Sequence, residues 1–350
     1  MGVVKVDPVF HPQKIINDTL FFNYQNKVLN STLTIAKASS KFFEINYGEL
    51  CDKLNFFQKN RAPSNFFSYN SYLVYILKKS KNVNDLKDTL GRVDLLFTDS
   101  YFTDDCKVKN LNEVPWLDFL CEDILNISQK SFVENSEFYS FNAKINHVDY
   151  SCFEEHKKYI LEALEILKKS NLEYYTEFNN YISEVVLFDG EGITGWSSPR
   201  HLGAIFIRVY KGNYNLENII LKDELKLNEL NPVLYYLEQI IHEVAHTHLD
   251  LIIDEYDPII LNDDNSSYVS PIRHDKRPMK GVFHACFVLV RILYIFSNLS
   301  IDDMELRNFA FLRSNKLRKM IDVGIREIKA NAKLTPFGKD LFYQMKKSIN

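Results

Sequence analysis

The chain has 350 residues, of which 46% are hydrophobic and 14% aromatic, and it carries a formal net charge of −4. This composition excludes a disordered or collagen-like protein, because Gly and Pro are few and the apolar residues suffice for a large core. No run of basic residues stands out, so neither nucleic acid nor an anionic membrane surface is an expected partner.

Cysteine usage and the N-terminal residues indicate a cytoplasmic protein. The five cysteines form no CxxC pair, and their odd number favours reduced thiols over a disulfide framework. Residues 1–14 lack a basic segment followed by an apolar one, so no secretion signal is expected. The longest apolar run, 285–296, contains Arg291 and is too short to span a bilayer.

Residues 1–150 form the first predicted region. Their apolar residues show helical spacing at 73–78 and at 116–125, which predicts a mostly helical structure. The many Phe and Tyr side chains are compatible with a surface that binds a peptide, but aromatic residues at helical spacing usually belong to the core. Peptide binding by this region therefore stays open.

Residues 151–350 form the second predicted region. Apolar residues repeat at intervals of three and four over 154–183, which predicts a long helix with a break near Asn171. Segments 184–188 and 203–210 have the β-branched and aromatic residues typical of strands, and a turn-rich loop separates them.

Two apolar helices are expected after these strands. The first begins at Asn231-Pro232 and runs to about Ile253, since proline is favoured in a first helical turn. A loop containing several prolines is predicted over 254–280, and the second helix over 281–298. The predicted fold is mainly α with a small β-sheet (α+β).

The first of these helices contains the motif His242-Glu243-Val244-Ala245-His246. Two histidines four residues apart lie one turn apart on the same helical face, close enough to bind one metal ion. In zinc peptidases, whose usual signature is His-Glu-x-x-His, the glutamate polarises a metal-bound water. The motif therefore predicts a catalytic metal site, and the alternative is that both histidines are ordinary hydrogen-bonded groups.

A catalytic site needs a third protein ligand. The candidates are the histidines and carboxylates that follow the motif: His248, Asp250, Asp254, Glu255, His274 and His284. His248 is only two residues beyond His246 and therefore points to another helical face. His284 is favoured, because it is a lone imidazole in the first turn of the second apolar helix. The predicted metal ligands, His242, His246 and His284, thus lie between the two helices.

Three arginines are candidates for binding a carboxylate beside the metal. Arg291 follows His284 by seven residues and so lies on the same helical face. Arg273 and Arg277 belong to the preceding loop. The alternative for Arg291 is an ion pair with an acidic side chain of the protein, and the alternative for the loop arginines is a surface charge.

The order and spacing of these residues resemble those of the HExxH-type 2-oxoglutarate-dependent peptide β-hydroxylases. After the motif, the resemblance continues through Ser270-Pro271-Ile272-Arg273, then through Arg277-Pro278-Met279-Lys280-Gly281-Val282-Phe283-His284, and ends in the helix that contains Arg291. It covers residues 195–300, whereas residues 1–150 show no feature of the family. Ile272 stands where the family pattern often has tryptophan.

The resemblance implies hydroxylation of a side-chain β-carbon in a ribosomally synthesised precursor peptide, with Fe(II) and 2-oxoglutarate as cofactors. The residues that would bind iron are His242, His246 and His284. The residues that would bind the carboxylate of 2-oxoglutarate are Arg291, Arg277 or Arg273. Glu243 would then be a hydrogen-bonding group beside the ligands rather than the base of a hydrolase.

Two other functions stay open. The first is a cytosolic zinc metallopeptidase, in which Glu243 activates water and His284 completes the site. The series of arginines has no assigned place in peptide hydrolysis, which disfavours it. The second is a non-catalytic binding module with a structural metal, which would require a closed four-ligand shell that includes His248 or His274.

Overall fold

The computed structural model describes residues 14–43, 46–79, 83–97, 107–114, 144–212, 223–256, 258–262, 267–273 and 275–349. Within these ranges the protein has ten α-helices, a small mixed five-stranded sheet and a two-stranded hairpin. The predicted fold class, mainly α with a small β-sheet, is confirmed. The helix predicted at 116–125 and the candidate ligand His274 lie outside the described residues.

Four helices lie before the sheet in the described part of the chain: α1 (Lys14–Ser39), α2 (Tyr47–Asn55), α3 (Ser64–Lys79) and α4 (Val83–Gly91). The helical spacing at 73–78 falls within α3. Phe21, Phe57, Phe66 and Phe67 are buried, and neighbouring rings among them pack edge to face or tilted. These aromatic residues therefore belong to the core.

The predicted break near Asn171 separates two helices, α5 (Tyr150–Ser170) and α6 (Leu172–Tyr181). The Asn171 side chain accepts a hydrogen bond from the backbone N–H of Tyr174 at 3.0 Å. Asparagine is a favoured N-cap because it satisfies an N–H that has no partner within the helix. The break between the two helices is thus explained by one residue, Asn171, which caps the second helix.

The five-stranded sheet consists of β1 (Lys107–Asn110), β2 (Lys144–Asn146), β3 (Glu184–Glu191), β4 (Gly195–Trp196) and β5 (Ala204–Arg208). The central strand is β3, which pairs in parallel with β1 and β5 and antiparallel with β2. β4 joins the free edge of β5 in the antiparallel direction. Both predicted strands exist, and the loop between them also contains β4.

Two hydrophobic clusters form the core, one on each face of the sheet. Because successive strand residues point to opposite faces, Val185 and Ile205 face the larger cluster, while Val186 and Phe206 face the smaller one. The larger cluster includes residues from both sides of the predicted boundary at residue 150. The division into two domains stays a prediction.

The two apolar helices are α7 (Pro232–Glu255) and α8 (Met279–Ser297). α7 begins where predicted, because the Asn231 side chain accepts a hydrogen bond from the N–H of Val233 at 2.8 Å and Pro232 occupies the first turn. α7 packs against α8 and also against β5. The motif helix is therefore held between the second apolar helix and the sheet.

The connection between α7 and α8 contains a short hairpin, β6 (Tyr268–Val269) and β7 (Lys276–Arg277), within the predicted loop. Two further helices complete the chain, α9 (Met304–Asn331) and α10 (Pro336–Lys347). α9 packs along α8. Arg313 on α9 donates from Nε and Nη2 to the two carboxylate oxygens of Glu238 on α7, at 2.8 and 2.6 Å, and so fixes α7 against α9.

α8 is the one helix in the described part of the chain that is long and apolar enough to cross a membrane by length and composition alone. However, 72% of its most apolar window is buried inside the protein. Burial of this extent is typical of the core helix of a folded domain.

Candidate metal centre

His242 and His246 lie one turn apart on the same face of α7, as their spacing predicts. Their Nε2 atoms are 3.2 Å apart, and their ring centroids are 4.8 Å apart. Two nitrogens that each lie about 2.1 Å from one metal ion, at an angle of about 100°, are separated by about 3.2 Å. The two imidazoles are therefore spaced as a hydrogen-bonded pair in the absence of a metal, and the same separation suits two ligands of a single ion.

His284 faces this pair from α8. Its ring centroid lies 6.0 Å from that of His246, and the two planes are 29° apart. Nε2 of His284 is buried and has no hydrogen-bond partner. A buried polar atom without a partner costs about 1–3 kcal/mol, and coordination of a metal would remove this cost. His284 thus fits the part of a third ligand.

The described side chains do not by themselves form a group of three His, Cys, Asp or Glu residues around one point. The histidine pair on α7 has the spacing of two ligands. The ring centroid of His284, on α8, is 6.0 Å from that of His246. A three-histidine centre is therefore part of the proposal made below.

The protein environment keeps the three imidazoles neutral, although each side chain retains some exposed surface. Burial is the largest cause that lowers the pKa of His246 to about 4 and the pKa of His284 to about 3. Burial, followed by His246 and Arg273, also holds the pKa of His242 well below its ordinary value. A neutral imidazole has the free nitrogen lone pair that a metal requires.

Two of the other candidate ligands bind α1 instead. The carboxylate of Asp254 forms an ion pair with Lys27 at 2.8 Å. Glu255 accepts a hydrogen bond from the side-chain amide of Asn23 at 3.1 Å. Both acidic residues lie at the C-terminal end of α7, and their contacts attach this end to the first helix.

A buried polar network that contains His248 lies among α1, α6, α7 and α8. Glu177 is central to it, because one carboxylate oxygen accepts a hydrogen bond from Arg291 and the other lies 3.1 Å from Nδ1 of His248. The hydroxyl of Tyr181 lies 2.9 Å from the same Nδ1 and donates to Asn17 at 2.9 Å. His248 thus has partners on another face of α7, as predicted.

Arg291 is completely buried within this network. Its guanidinium also stacks over the ring of Tyr174, with 4.5 Å between the guanidinium carbon and the ring centroid. Burial alone would lower the pKa of Arg291, but Glu177 and Tyr174 raise it above the ordinary arginine value. The observed partner of Arg291 is therefore an acidic side chain of the protein, which is the alternative interpretation of this residue.

The two loop arginines, Arg273 and Arg277, are more exposed than Arg291. Arg277 forms an ion pair with Asp275, with 2.8 Å between Nε and a carboxylate oxygen. Arg273 is exposed, and its charge contributes to the lowered pKa of His242. Of the three predicted carboxylate-binding arginines, Arg273 is thus the one whose charge acts on a histidine of the pair, His242.

The carboxylate of Glu243 lies against β4 and the residue that follows it. Ser197 donates its hydroxyl hydrogen to Oε2 of Glu243 at 2.7 Å. Burial raises the pKa of Glu243 to about 8, and the hydrogen bond from Ser197 opposes this shift. Sequence reasoning did not identify Ser197 as a partner, although Ser197 lies within the segment 195–300 that carries the family resemblance.

Gly195 allows this close approach of Glu243. A Cβ atom on Gly195 would overlap with Oε1 of Glu243. We expect Gly195→Ala to lower the free energy of unfolding by about 1–3 kcal/mol, because either the carboxylate or β4 must move. Urea-induced unfolding measures this change. Gly91→Ala is the matched control, because nothing lies within 4 Å of its added Cβ. Equal stability of the two variants would contradict the contact.

The comparisons with known proteins assign no family. No model of a known protein family matches the chain, and no curated protein matches it. The family resemblance carried by residues 195–300 therefore belongs to the proposal that follows.

Proposed function

We propose that this chain is an Fe(II)- and 2-oxoglutarate-dependent oxygenase. The observation that carries the proposal is the 3.2 Å separation of Nε2 in His242 and His246, faced by the partnerless buried Nε2 of His284. Three neutral imidazoles are a variation on the two-histidine, one-carboxylate set of many iron oxygenases, and they leave coordination positions for a cosubstrate and oxygen.

The reaction and the substrate are proposed from the sequence resemblance. The substrate is a ribosomally synthesised precursor peptide in the cytoplasm, and the product carries a hydroxyl group on a side-chain β-carbon. When bound, Fe(II) and 2-oxoglutarate couple the reduction of O₂ and the decarboxylation of the cosubstrate to the insertion of one oxygen atom into a C–H bond.

The residues of this chain supply binding and positioning. α7 and α8 present neutral imidazoles from two rigid elements, and the apolar residues around them limit the access of water. Glu243, held by Ser197, fixes the motif turn of α7 against β4. This buried contact favours a positioning role for Glu243 over that of an open general base.

Anaerobic titration of the full chain with Fe(II) and then 2-oxoglutarate tests the proposal. We expect one Fe(II) per chain and the weak visible charge-transfer band of iron-bound 2-oxoglutarate. The band should be lost in His284→Ala and retained in His147→Ala, a control at an exposed histidine in the described part of the chain. Tight stoichiometric zinc without this band would replace the proposal with a peptidase.

The substitution Glu243→Gln separates an oxygenase from a zinc metallopeptidase. If Glu243 positions α7, the variant should retain a measurable fraction of turnover, with a loss of about 10–100-fold. Ser197→Ala should cause a loss of similar size, because it removes the partner of the same carboxylate. A peptidase would lose nearly all turnover in Glu243→Gln alone, since the carboxylate would take the proton of the attacking water. Succinate formation and peptide cleavage are the two readouts.

A further inference from the structure

One face of α7 is open, and it contains the histidine pair. From Val233 to Ile253 every residue of α7 is buried except His242, His246, Asp250 and Ile253. These four positions follow one another at intervals of four, four and three residues, so they form a single stripe along the helix. The open stripe thus continues for two turns beyond the histidine pair, towards the C-terminal end of α7.

Asp250 is the acidic residue of this open stripe. Its Cα lies about 9 Å along the helix axis from the midpoint of His242 and His246, which is further than the short side chain of an aspartate can reach. A metal ion held by the two histidines is therefore out of its range. Asp250, a candidate ligand in the sequence, is left without that role.

The protein compensates the charge of Asp250 incompletely. Burial raises the pKa of Asp250, the charge of Lys280 on α8 lowers it, and no hydrogen bond contributes. Burial is the larger cause, so the pKa of Asp250 is raised to about 6 and the side chain is ionised at neutral pH. A partly buried carboxylate without a hydrogen-bond partner in the described part of the chain favours a cation that a ligand brings.

The open stripe runs between α1 and α8, both of which pack against α7. The charge of Asp250 acts on Tyr24 of α1, whose pKa it helps to raise, and the charge of Lys280 acts on Asp250 from α8. The ring of Tyr24 stacks on that of Phe67, with 6.1 Å between the centroids, so its position is fixed. A peptide chain that reaches the histidine pair can therefore follow the stripe to Asp250.

We infer that Asp250 binds a basic side chain of the precursor peptide, two or three residues away from the residue that is hydroxylated. The inference rests on the proposed function. An extended chain advances about 3.3 Å per residue, so a distance of about 9 Å corresponds to two or three residues. A Lys or Arg side chain binds a carboxylate through charge-assisted hydrogen bonds, which are the strongest kind. The substrate class is thus a peptide with a basic residue close to the modified one.

Affinity selection from a random peptide library tests this inference, with the full chain loaded with Fe(II) and 2-oxoglutarate under anaerobic conditions. The native chain should enrich peptides that contain Lys or Arg. A selected peptide should bind at least about tenfold more tightly than its variant with Met at the basic position. In Asp250→Asn this difference should fall to within about twofold, and Asp250→Lys should enrich peptides with Asp or Glu instead.

Asp254→Asn is the matched control. It removes the same charge one turn further along α7, where Asp254 is exposed and pairs with Lys27. This variant should keep the native preference for basic peptides, which would exclude a general effect of net charge. Because the readout is binding, the comparison does not depend on turnover.

The position of the basic residue is tested by admitting air to the selected peptides and locating the hydroxyl group by tandem mass spectrometry. We expect two or three residues between it and the Lys or Arg. Hydroxylated peptides with another spacing, or an equal preference for basic peptides in the native chain and Asp250→Asn, would overturn the inference and leave the proposed function in place. If the native chain forms no charge-transfer band with Fe(II) and 2-oxoglutarate, the proposed function fails and the inference fails with it.

Discussion

Replacement of Arg291 by Met should lower the free energy of unfolding by about 3–5 kcal/mol. The substitution keeps an apolar side chain in the space of the arginine stem but removes the cation that faces Glu177, which is 0% exposed. A buried carboxylate without its cation is costly because water cannot solvate it. Urea-induced unfolding followed by circular dichroism measures the loss.

The double variant Glu177→Gln, Arg291→Met is the decisive control. It leaves no uncompensated charge, so it should recover much of the stability that Arg291→Met loses. Lys27→Met breaks a partly exposed ion pair with Asp254 and should cost no more than about 1 kcal/mol. If Arg291→Met lowers the free energy of unfolding by less than Lys27→Met does, the buried pair contributes little to stability. That result would favour Arg291 as a ligand-binding residue.

The network around Glu177 matters for the site because it joins the two helices that carry the histidines. Arg291 belongs to α8 and His248 to α7, and both contact the carboxylate of Glu177 on α6. Any displacement of one helix along the other would break one of these contacts. The network is therefore expected to hold His284 opposite His246.

The elements that carry the motif could be predicted from local sequence. α7 and α8 each begin within two residues of their predicted starts. Asn231-Pro232 is a local signal for the start of α7, and the continuous apolar pattern after the proline-containing loop indicates α8. The break at Asn171 likewise follows from a single capping side chain. Such signals act within one helical turn, so no knowledge of the tertiary structure is needed.

The partners of the buried polar groups could not be predicted in the same way. Arg291 and Glu177 are 114 positions apart, and Ser197 and Glu243 are 46 apart. Periodicity shows which face of a helix is buried, but it does not show which element covers that face.

Substitution of the second motif histidine, His246→Ala, should lower the affinity for Fe(II) by more than about 100-fold. It removes the nitrogen that lies 3.2 Å from Nε2 of His242, so the remaining imidazole has no second ligand at the spacing one ion requires. Equilibrium dialysis of Fe(II) under anaerobic conditions, with metal content determined afterwards, measures this loss independently of catalysis.

His248→Gln is the matched control, because His248 lies in the same helix two positions further on but contacts Glu177 and Tyr181. This variant should be less stable than the native chain, since it disturbs the buried network, yet it should still bind one Fe(II) when folded. A closed structural site that includes His248 gives the opposite result, with metal lost in both variants. Retention of metal in His248→Gln together with its loss in His246→Ala therefore argues for a site that keeps open coordination positions, as catalysis requires.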